Sequence, residues 1–364
     1  MSTWSALDHA HMAQALALAA RGTDPTDPNP RVGCVLAHGA EVVGEGWHMR
    51  AGEGHAEVHA LRAAGDRAAG ATAYVTLEPC AHHGRTPPCA EALVAAGVAR
   101  VVAACEDPFP QVAGRGIGIL RAAGAVVELG LMREPARELN RGFFSRIERG
   151  RPWLRLKLAA SLDGRTALGD GRSHWITGEA ARRDVHQWRA RSSAILTGIG
   201  TVLADDPALT VRLADAAPER PPLRVVVDTH LRTPATARVL DDAAPTVVFC
   251  APDAVARNRG IRPERVVSVP QHVTGIGLAV ALAELAQRDC NEVQVEAGPT
   301  LSGAFVHAGL VDELLLYLNP SLIGDTGRPL LQLPPLESLD ERPRWRTLDM
   351  RMVGADLRLL LRPQ

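Results

Sequence analysis

Four residues in the first half of the chain have the types and spacing of a catalytic zinc site. The segment GEGHAE contains His55 and Glu57, and EPCAHHGRTPPC places Cys80 and Cys89 with eight residues between them. One imidazole and two thiolates are three zinc ligands, which leaves the fourth tetrahedral position open to water. Zinc lowers the pKa of such a water to about 7. Three ligands therefore predict a catalytic metal site rather than a structural one.

The helix that carries the histidine must begin close to it. Glu57 follows His55 by two positions, about 200° around an ideal helix, so both side chains face one site only if His55 lies at the helix start. The GEG sequence before His55 suits such a start. Pro79 precedes Cys80 at a predicted strand-to-helix junction, where the helix dipole would favour a thiolate.

Other ligand sets are compatible with the sequence. His55 and His59 are four residues apart and could bind zinc from one helix face, although Glu57 is at the wrong offset for the H-E-x-x-H motif. His82 or His83 could replace a cysteine, and either cysteine could be a buried apolar residue. The set of one histidine and two cysteines is the favoured interpretation. Inert thiols are expected at Cys34, Cys105, Cys250 and Cys290.

The second half contains no standard dinucleotide-binding fingerprint. The nearest match, GIGTVL at 198–203, lacks the third glycine of G-x-G-x-x-G. The turn Gly298-Pro299-Thr300 would direct free backbone N–H groups towards an anion, although many α/β crossovers contain such turns. Lys157 is the one lysine among 40 Lys and Arg residues. Because an ammonium is a compact proton donor, we expect a catalytic or substrate role for it, with chance as the alternative.

The elements that would position these residues alternate between helices and short apolar runs. The first half is predicted to contain helices at 8–21, 56–65 and 89–96, strands near 32–37, 41–47, 73–77 and 100–104, and a helical stretch at 133–150. The second half is predicted to contain strands near 153–159, 194–197, 223–228, 246–250, 293–296, 313–318 and 355–362, and helices at 179–191, 277–287 and 300–308. This alternation predicts two α/β domains with a boundary near residue 150.

Composition excludes several classes of protein. The chain has 364 residues, of which 46% are hydrophobic and 22% charged, so it can bury a core in each of about two domains. A net charge of −1 lacks the basic excess that binding to nucleic acid normally needs. No run approaches the ~18 apolar residues of a membrane span, and six scattered cysteines do not form a secreted disulfide framework. We therefore expect a cytoplasmic protein with neither a nucleic-acid nor a membrane partner.

Motifs in both halves resemble one enzyme family. The H-x-E…P-C…C arrangement is the signature of zinc nucleobase deaminases, in which the glutamate moves protons and does not bind the metal. Eight residues separate the two cysteines instead of the usual two, and this departure narrows the choice of deaminase family. With HAEVHALRAAG, DPFPQVAGRG, RLKLAASLDGRTA, HWITG, RRDVHQWRA, GTVLADDPALTVR and VEAGPTLSGAFVHAGLVDELLLYLNP, the chain resembles the bifunctional deaminase–reductases of riboflavin biosynthesis along nearly its whole length.

The resemblance implies a fold and an activity for each half. Residues 1–150 would form a cytidine-deaminase-like α/β/α domain, and residues 151–364 a dihydrofolate-reductase-like α/β domain that binds NADPH without a Rossmann fingerprint. The first domain would use zinc and Glu57 to hydrolyse the C2 amino group of 2,5-diamino-6-(5-phosphoribosylamino)pyrimidin-4-one. The second, with Lys157, would reduce the ribosyl group to ribityl with NADPH. A small-molecule partner, the pyrimidine ribotide substrate, is likewise implied by the resemblance. A homodimer or homotetramer is a further family expectation.

The resemblance also implies binding residues by motif position. Asn29, in DPNPRVG, would line the deaminase pocket. Contacts to the reductase substrate are expected from Ser173, Arg189, Leu209, Arg212 and Glu296. NADPH is expected along Ala159, Trp175, Thr201, Asp205, Thr229, Gly298, Pro299, Thr300, Leu301, Ser302, Gly303 and Ala304. Without the family, Trp175 could be a core residue, Asp205 a helix or turn cap and Arg189 a solvated charge.

One position departs from the family, and two rival functions remain. Phe109 in DPFPQVAG stands where the family usually has Asn, so a polar substrate contact is lost or supplied elsewhere. The rivals are a deaminase of another base, such as cytosine or a tRNA adenosine, and a non-catalytic zinc-stabilised binding protein. The cysteine spacing and the second half argue against the first rival. The presence of Glu57 and of an open ligand position argues against the second.

Overall fold

A computed structural model describes residues 4–23, 26–81, 88–110, 112–173, 175–213, 220–272 and 275–364. The chain divides into two units, Met1–Arg149 and Gly150–Gln364. Within the described ranges, no helix has both the length and the hydropathy needed to cross a bilayer.

The first unit is a five-stranded sheet with helices on both faces. Its elements are α1 (Ala6–Ala19), β1 (Gly33–His38), β2 (Glu41–Trp47), α2 (Ala56–Ala64), β3 (Thr72–Val75), α3 (Cys89–Ala95), β4 (Arg100–Ala103), α4 (Arg115–Ala122), β5 (Val126–Leu129), α5 (Arg133–Leu139) and α6 (Arg141–Arg149). The strand order is β2-β1-β3-β4-β5, antiparallel between β1 and its two neighbours and parallel from β3 to β5. One core lies under α2, α3 and α4, and another under α1, α5 and α6. This three-layer arrangement confirms the predicted α/β/α class.

Two glycines in β2 bring α2 close to the sheet. A Cβ atom at Gly44 would lie 2.3 Å from the carbonyl oxygen of Ala60, and one at Gly46 would lie 2.6 Å from that of Ala56. Any larger side chain at these positions would force the helix outwards, because protein interiors have no spare volume. The glycines therefore set the position of the N-terminus of α2, where the predicted zinc ligand His55 lies.

The single helical stretch predicted at 133–150 is wrong in one respect, because it is two helices, α5 and α6. Asn140 lies between them and forms two hydrogen bonds with Arg31. Its side-chain amide donates to the Arg31 carbonyl at 2.9 Å, and its Oδ1 accepts the Arg31 backbone N–H at 2.7 Å. This contact spans 109 residues of sequence, so the local helical pattern could not reveal the break.

The second unit is built on a nine-stranded sheet, which confirms a second α/β domain. Its elements are β6 (Trp153–Ser161), β7 (Arg165–Ala167), α7 (Glu179–Ala190), β8 (Ala194–Gly198), α8 (Ile199–Asp205), β9 (Leu223–Val227), β10 (Thr246–Cys250), β11 (Val266–Ser268), β12 (Gln271–His272), β13 (Gly275–Ile276), α9 (Leu278–Gln287), β14 (Glu292–Val295), α10 (Pro299–His307), β15 (Glu313–Asn319), β16 (Arg328–Pro329), β17 (Trp345–Val353) and β18 (Asp356–Pro363). The strand order is β11-β10-β9-β8-β14-β6-β15-β18-β17. The strands from β11 to β15 are parallel, whereas β18 and β17 are antiparallel to their neighbours.

Several elements of the two units were not predicted. In the first unit, the glycines of GRGIGILRAAG interrupt the helical period of α4, and β5 follows directly. In the second unit, β17 has an exposed face on which Leu348, Met350 and Met352 leave 40%, 64% and 61% of their surface accessible. Because β17 lies at the edge of the sheet and is mostly exposed, it lacks the apolar alternation of a strand packed on a core.

Candidate active sites

Three side chains from three segments meet in the first unit. His55 is the N-cap residue of α2, the position that its spacing from Glu57 requires. Cys80 follows the end of β3, and Cys89 is the first residue of α3. Nδ1 of His55 lies 3.5 Å from the Cys80 sulfur and 3.3 Å from the Cys89 sulfur. The three ligand atoms all lie within 4.8 Å of one another.

These separations fit a zinc ion. Zinc–nitrogen and zinc–sulfur bonds of about 2.0 and 2.3 Å at a tetrahedral angle separate the two ligand atoms by about 3.5 Å. The Cys89 side chain and His55 hydrogen-bond to Cys80 and, against the effect of burial, lower the pKa of its thiol to about 4. The backbone N–H of Cys89 also donates to the Cys80 sulfur at 3.3 Å. Cys80 is therefore suited to present a thiolate, which is the form that binds metal.

Glu57 lies beside this ligand set. Only 3% of its surface is accessible, and burial raises the pKa of its carboxyl, while the nearby His55 opposes the shift. A carboxyl group with a raised pKa is a stronger proton acceptor than a free one, as a general acid–base group requires. The alternative ligand His59 is not part of the set found among the described residues. His82 and His83 lie outside them.

His48, which no sequence motif distinguishes, connects Asn29 to the ligand set. His48 is 2% exposed, its ring lies edge-on to that of His55 at 5.4 Å, and Nδ1 donates to the Gly54 carbonyl at 3.1 Å. Nε2 can therefore accept from the side-chain amide of Asn29, at 3.3 Å. Burial lowers the pKa of His48, which keeps the ring neutral and this pairing intact. No spacing rule marks His48, because its partners lie in two separate loops.

A buried carboxylate holds the loop that contains Phe109. Glu78 is 3% exposed and accepts the backbone N–H groups of Asp107, Gly114 and Ile117 at 3.3, 3.0 and 3.3 Å. Phe109 itself leaves 36% of its surface accessible, and its backbone N–H donates to Asp107 Oδ1 at 2.8 Å. The loop conformation therefore depends on Glu78 and Asp107 rather than on the side chain at position 109.

The second unit contains a cavity of about 1060 Å³ at the carboxyl ends of its parallel strands. Ligands of open α/β sheets bind at this edge. Residues lining it follow β8, β9 and β14, and Lys157 reaches it from β6. Of the predicted site residues, the cavity brings together Lys157, Ala159, Ser173, Thr201, Asp205, Thr229, Glu296, Gly298, Pro299, Thr300, Leu301 and Ala304. Arg232 and Arg328 also line it and were missed, because nothing in the sequence distinguishes them among 40 basic residues.

A buried charge cluster lies at one wall of the cavity. Lys157 on β6 and Glu296 after β14 are neighbours because these two strands pair. Arg189 donates two hydrogen bonds to Glu296, from Nε to Oε1 at 2.6 Å and from Nη2 to Oε2 at 2.8 Å. Burial alone would raise the pKa of Glu296, but Arg189 lowers it to about 2. Burial lowers the pKa of Lys157, while the Glu296 carboxylate opposes this shift and Arg189 adds to it.

Six predicted contact residues do not line the cavity as Lys157 does, and one of them is Arg189 of the charge cluster. Trp175 is 68% exposed, with the guanidinium of Arg182 4.6 Å above its ring. Leu209 is buried at a positive φ of 49°, and Arg212 follows it in the same segment. Ser302 is buried and donates from Oγ to the Ala297 carbonyl at 3.1 Å. Gly303, also buried, is described below.

Gly303 lies within α10 and Gly298 is the N-cap residue of the same helix, but their environments are opposite. A Cβ atom at Gly303 would lie 2.0 Å from the carbonyl oxygen of Gln332, whereas one at Gly298 would meet nothing within 4 Å. We expect Gly303→Ala to destabilise this unit by about 2 kcal/mol, because overpacking a tight contact forces the backbone to shift. Its thermal midpoint should then fall by about 5 °C. Gly298→Ala is the matched control and should melt like the unaltered protein; equal melting of both variants would contradict the packing role of Gly303.

Comparisons with known proteins agree with both halves of the structure. Residues 152–359 match the family model described as the RibD C-terminal domain, and residues 5–105 match the cytidine and deoxycytidylate deaminase zinc-binding region. The chain is 50% identical to the riboflavin biosynthesis protein RibD of Escherichia coli, over 97% of this chain and 99% of that protein. It is 44% identical to RibD of Haemophilus influenzae over the full length of both chains.

Solved structures give the same result. A structure of Acinetobacter baumannii RibD superposes with a TM-score of 0.90 at 45% identity and covers 98% of this chain and 99% of its own. A Thermotoga maritima diaminohydroxyphosphoribosylaminopyrimidine deaminase/5-amino-6-(5-phosphoribosylamino)uracil reductase superposes with a TM-score of 0.86 at 31% identity, with coverage of 98% and 99%.

Fold and site together define a bifunctional enzyme, in which a zinc-binding deaminase domain precedes a reductase domain. Its activities are therefore a hydrolytic deamination and a reduction on one chain. The chain belongs to the RibD family of riboflavin biosynthesis proteins.

Proposed function

We propose that the first unit deaminates 2,5-diamino-6-(5-phosphoribosylamino)pyrimidin-4-one at C2. The observation that carries this step is the three-ligand set of His55, Cys80 and Cys89, with Glu57 buried against it. A zinc ion held there would lower the pKa of a water molecule at its open position. Glu57 takes a proton from the attacking water and gives it to the departing amine, so that a C–O bond forms, the C–N bond breaks and ammonia leaves. Asn29, joined to His48, would line the base pocket.

We further propose that the second unit reduces the ribosyl group of the deaminated product to ribityl. A bound NADPH would supply the hydride. Lys157 holds the proton that reduction of the ribosyl group consumes. Glu296 keeps the Lys157 ammonium oriented at the cavity wall. Ser173 at the cavity, with Arg189, Leu209 and Arg212 beside it, would contact the ribotide. The dinucleotide would occupy the rest of the lining, along Ala159, Thr201, Asp205, Thr229 and the turn from Gly298 to Ala304.

In this proposal, residues 1–150 carry the deaminase activity and residues 151–364 carry the reductase activity. The test of the proposal is the stoichiometry of the purified chain supplied with the diaminopyrimidinone ribotide and NADPH. One ammonia released for each NADPH oxidised is the expected result, because the reductase would act on the product of the deaminase. Ammonia release without NADPH oxidation would contradict the second step, and NADPH oxidation without ammonia release would contradict the order.

We propose that the enzyme works in the cytoplasm and as a homo-oligomer. None of the six cysteines, all of which lie in described segments, forms a disulfide, which suits a reducing compartment. Strand β17 ends the sheet with Leu348, Met350 and Met352 exposed, and an edge strand with apolar side chains is suited to pair with a second copy of itself.

Charged substitutions on β17 test the proposed self-association. Met350→Lys combined with Met352→Lys should convert the oligomer to a monomer, because two ammonium groups would be buried at the pairing surface. The measurement is the mass in solution by light scattering. Leu339→Lys, at an exposed leucine outside β17, is the control. An unchanged oligomer in the double variant, or a monomeric unaltered protein, would contradict the proposal.

A further inference from the structure

The cluster beside the cavity has more positive charge than its buried carboxylate can neutralise. The two oxygens of Glu296 are both bonded to Arg189. Arg212 is exposed, but partial desolvation and the like charges of Arg189 and Arg238 lower its pKa, while Glu296 opposes that shift. An anion beside Arg212 would relieve this repulsion. The phosphate of the proposed ribotide substrate is such an anion, and a guanidinium binds phosphate through paired hydrogen bonds.

His186 is the residue that ties the Arg212 segment to the rest of this cluster. It lies on α7 three residues before Arg189, so the two side chains share a helix face. His186 is 9% exposed, and its Nδ1 accepts the backbone N–H of Arg212 at 3.1 Å. A second hydrogen bond joins the two segments, because Arg189 Nη1 donates to the Thr210 carbonyl at 2.9 Å. Helix α7 thus holds the segment of Thr210 and Arg212 at two points.

The His186 ring must be neutral to accept this bond, and its surroundings keep it so. Burial and the guanidinium groups of Arg189 and Arg212 lower the pKa of His186 to about 4, and the Lys157 ammonium acts in the same direction, while Glu296 opposes them. The bond to Arg212 fixes the tautomer, because Nδ1 accepts only when the proton is on Nε2. The ring therefore gives Arg212 a fixed anchor without adding a further positive charge to the cluster.

We infer that His186 is a positioning residue for substrate binding: by holding the backbone of Arg212 it aligns the Arg212 guanidinium with Arg189 to receive the phosphate of the ribotide. This inference rests on the proposed reductase function. It differs from a role in folding alone, because it predicts a selective effect on binding of the phosphorylated substrate. The residue does not touch the reacting atoms, so the rate of the chemical step should change little.

Two substitutions distinguish the effect of losing the hydrogen-bond acceptor from the effect of losing the imidazole ring. His186→Asn keeps an acceptor oxygen close to the position of Nδ1, whereas His186→Leu removes the acceptor at similar volume. Loss of the bond removes the acceptor of the Arg212 backbone N–H and weakens the attachment of this segment to α7. His186→Leu should therefore raise the KM for the 5-amino-6-(5-phosphoribosylamino)uracil substrate about tenfold, with kcat nearly unchanged. His186→Asn should restore KM to within about twofold of the unaltered enzyme. Arg183→Gln, at an exposed position of the same helix, is the matched control.

A binding measurement gives a readout that does not depend on turnover. Calorimetric titration with ribose 5-phosphate should show weaker binding by about tenfold in His186→Leu and near-normal binding in His186→Asn, while NADPH binds all variants equally. Unchanged KM and ribose 5-phosphate affinity in His186→Leu would overturn the inference. A rise in KM accompanied by equal losses of kcat and NADPH affinity, without rescue by asparagine, would also overturn it and would indicate a folding role. If the unaltered chain binds ribose 5-phosphate but never oxidises NADPH, the proposed function fails and the inference does not.

Discussion

Replacing Glu57 with glutamine should abolish ammonia release while the protein keeps its zinc. Glutamine has the shape of the carboxyl group but cannot take a proton from water or pass one to the departing amine. A positioned acid–base group typically contributes about 10²- to 10⁴-fold to the rate, and a loss in this range is expected. The measurements are ammonia release from the diaminopyrimidinone ribotide and zinc content by elemental analysis.

The same variant must retain the second activity. Oxidation of NADPH with the deaminated aminouracil ribotide should proceed at the rate of the unaltered enzyme, since Lys157 and its cavity lie in the other unit. Glu41→Gln removes an exposed carboxylate of the first unit, paired with Arg67 at 3.3 Å, and serves as the control with normal ammonia release. Loss of both activities in Glu57→Gln would argue against two independent sites, and loss of zinc would indicate a role in metal binding instead.

Lys157→Ala should have the opposite effect, with ammonia release unchanged and reduction lost by about 10²- to 10⁴-fold. Alanine removes the proton donor and leaves Glu296 without the ammonium that faces it. Lys157→Arg should not restore the rate, because a guanidinium keeps its proton and cannot occupy the place of a compact ammonium. The rate of NADPH oxidation with the aminouracil ribotide is the measurement.

Dinucleotide affinity distinguishes a chemical role of Lys157 from damage to the cavity. Fluorescence titration should give NADPH dissociation constants within a few-fold of each other for the unaltered enzyme and both variants. A normal reductase rate in Lys157→Ala would remove this residue from the mechanism. Weak NADPH binding by both variants would show that the lysine shapes the cavity rather than the reaction.

The zinc ligands could be predicted because each one lies in a short motif at an element boundary. Local spacing fixes His55 at a helix start, and the sulfur of Cys80 is oriented by the N–H of the residue that begins α3. His48 could not be found in this way, because its role comes from contacts with Asn29 and Gly54 in two different loops. The helix break at Asn140 has the same origin, in a contact with a residue 109 positions away.

The reductase site was accessible to sequence reasoning only through a family resemblance. Its lining is drawn from strand ends and loops that are distant in sequence, and no single spacing connects Lys157 with Glu296. Motif position does not distinguish a residue at the cavity surface from its neighbour in the core. On α10, Leu301 lines the cavity whereas Ser302 and Gly303 face the protein interior, because successive helix residues point in different directions.

Removal of zinc tests most directly the central claim that two chemistries act in sequence on one chain. After chelation, NADPH oxidation should disappear with the diaminopyrimidinone ribotide and return when zinc is restored. The same zinc-free protein should oxidise NADPH normally with the aminouracil ribotide, because that substrate no longer needs deamination. Persistent oxidation with the diamino substrate after complete zinc removal, or a zinc requirement for the aminouracil substrate, would contradict the account.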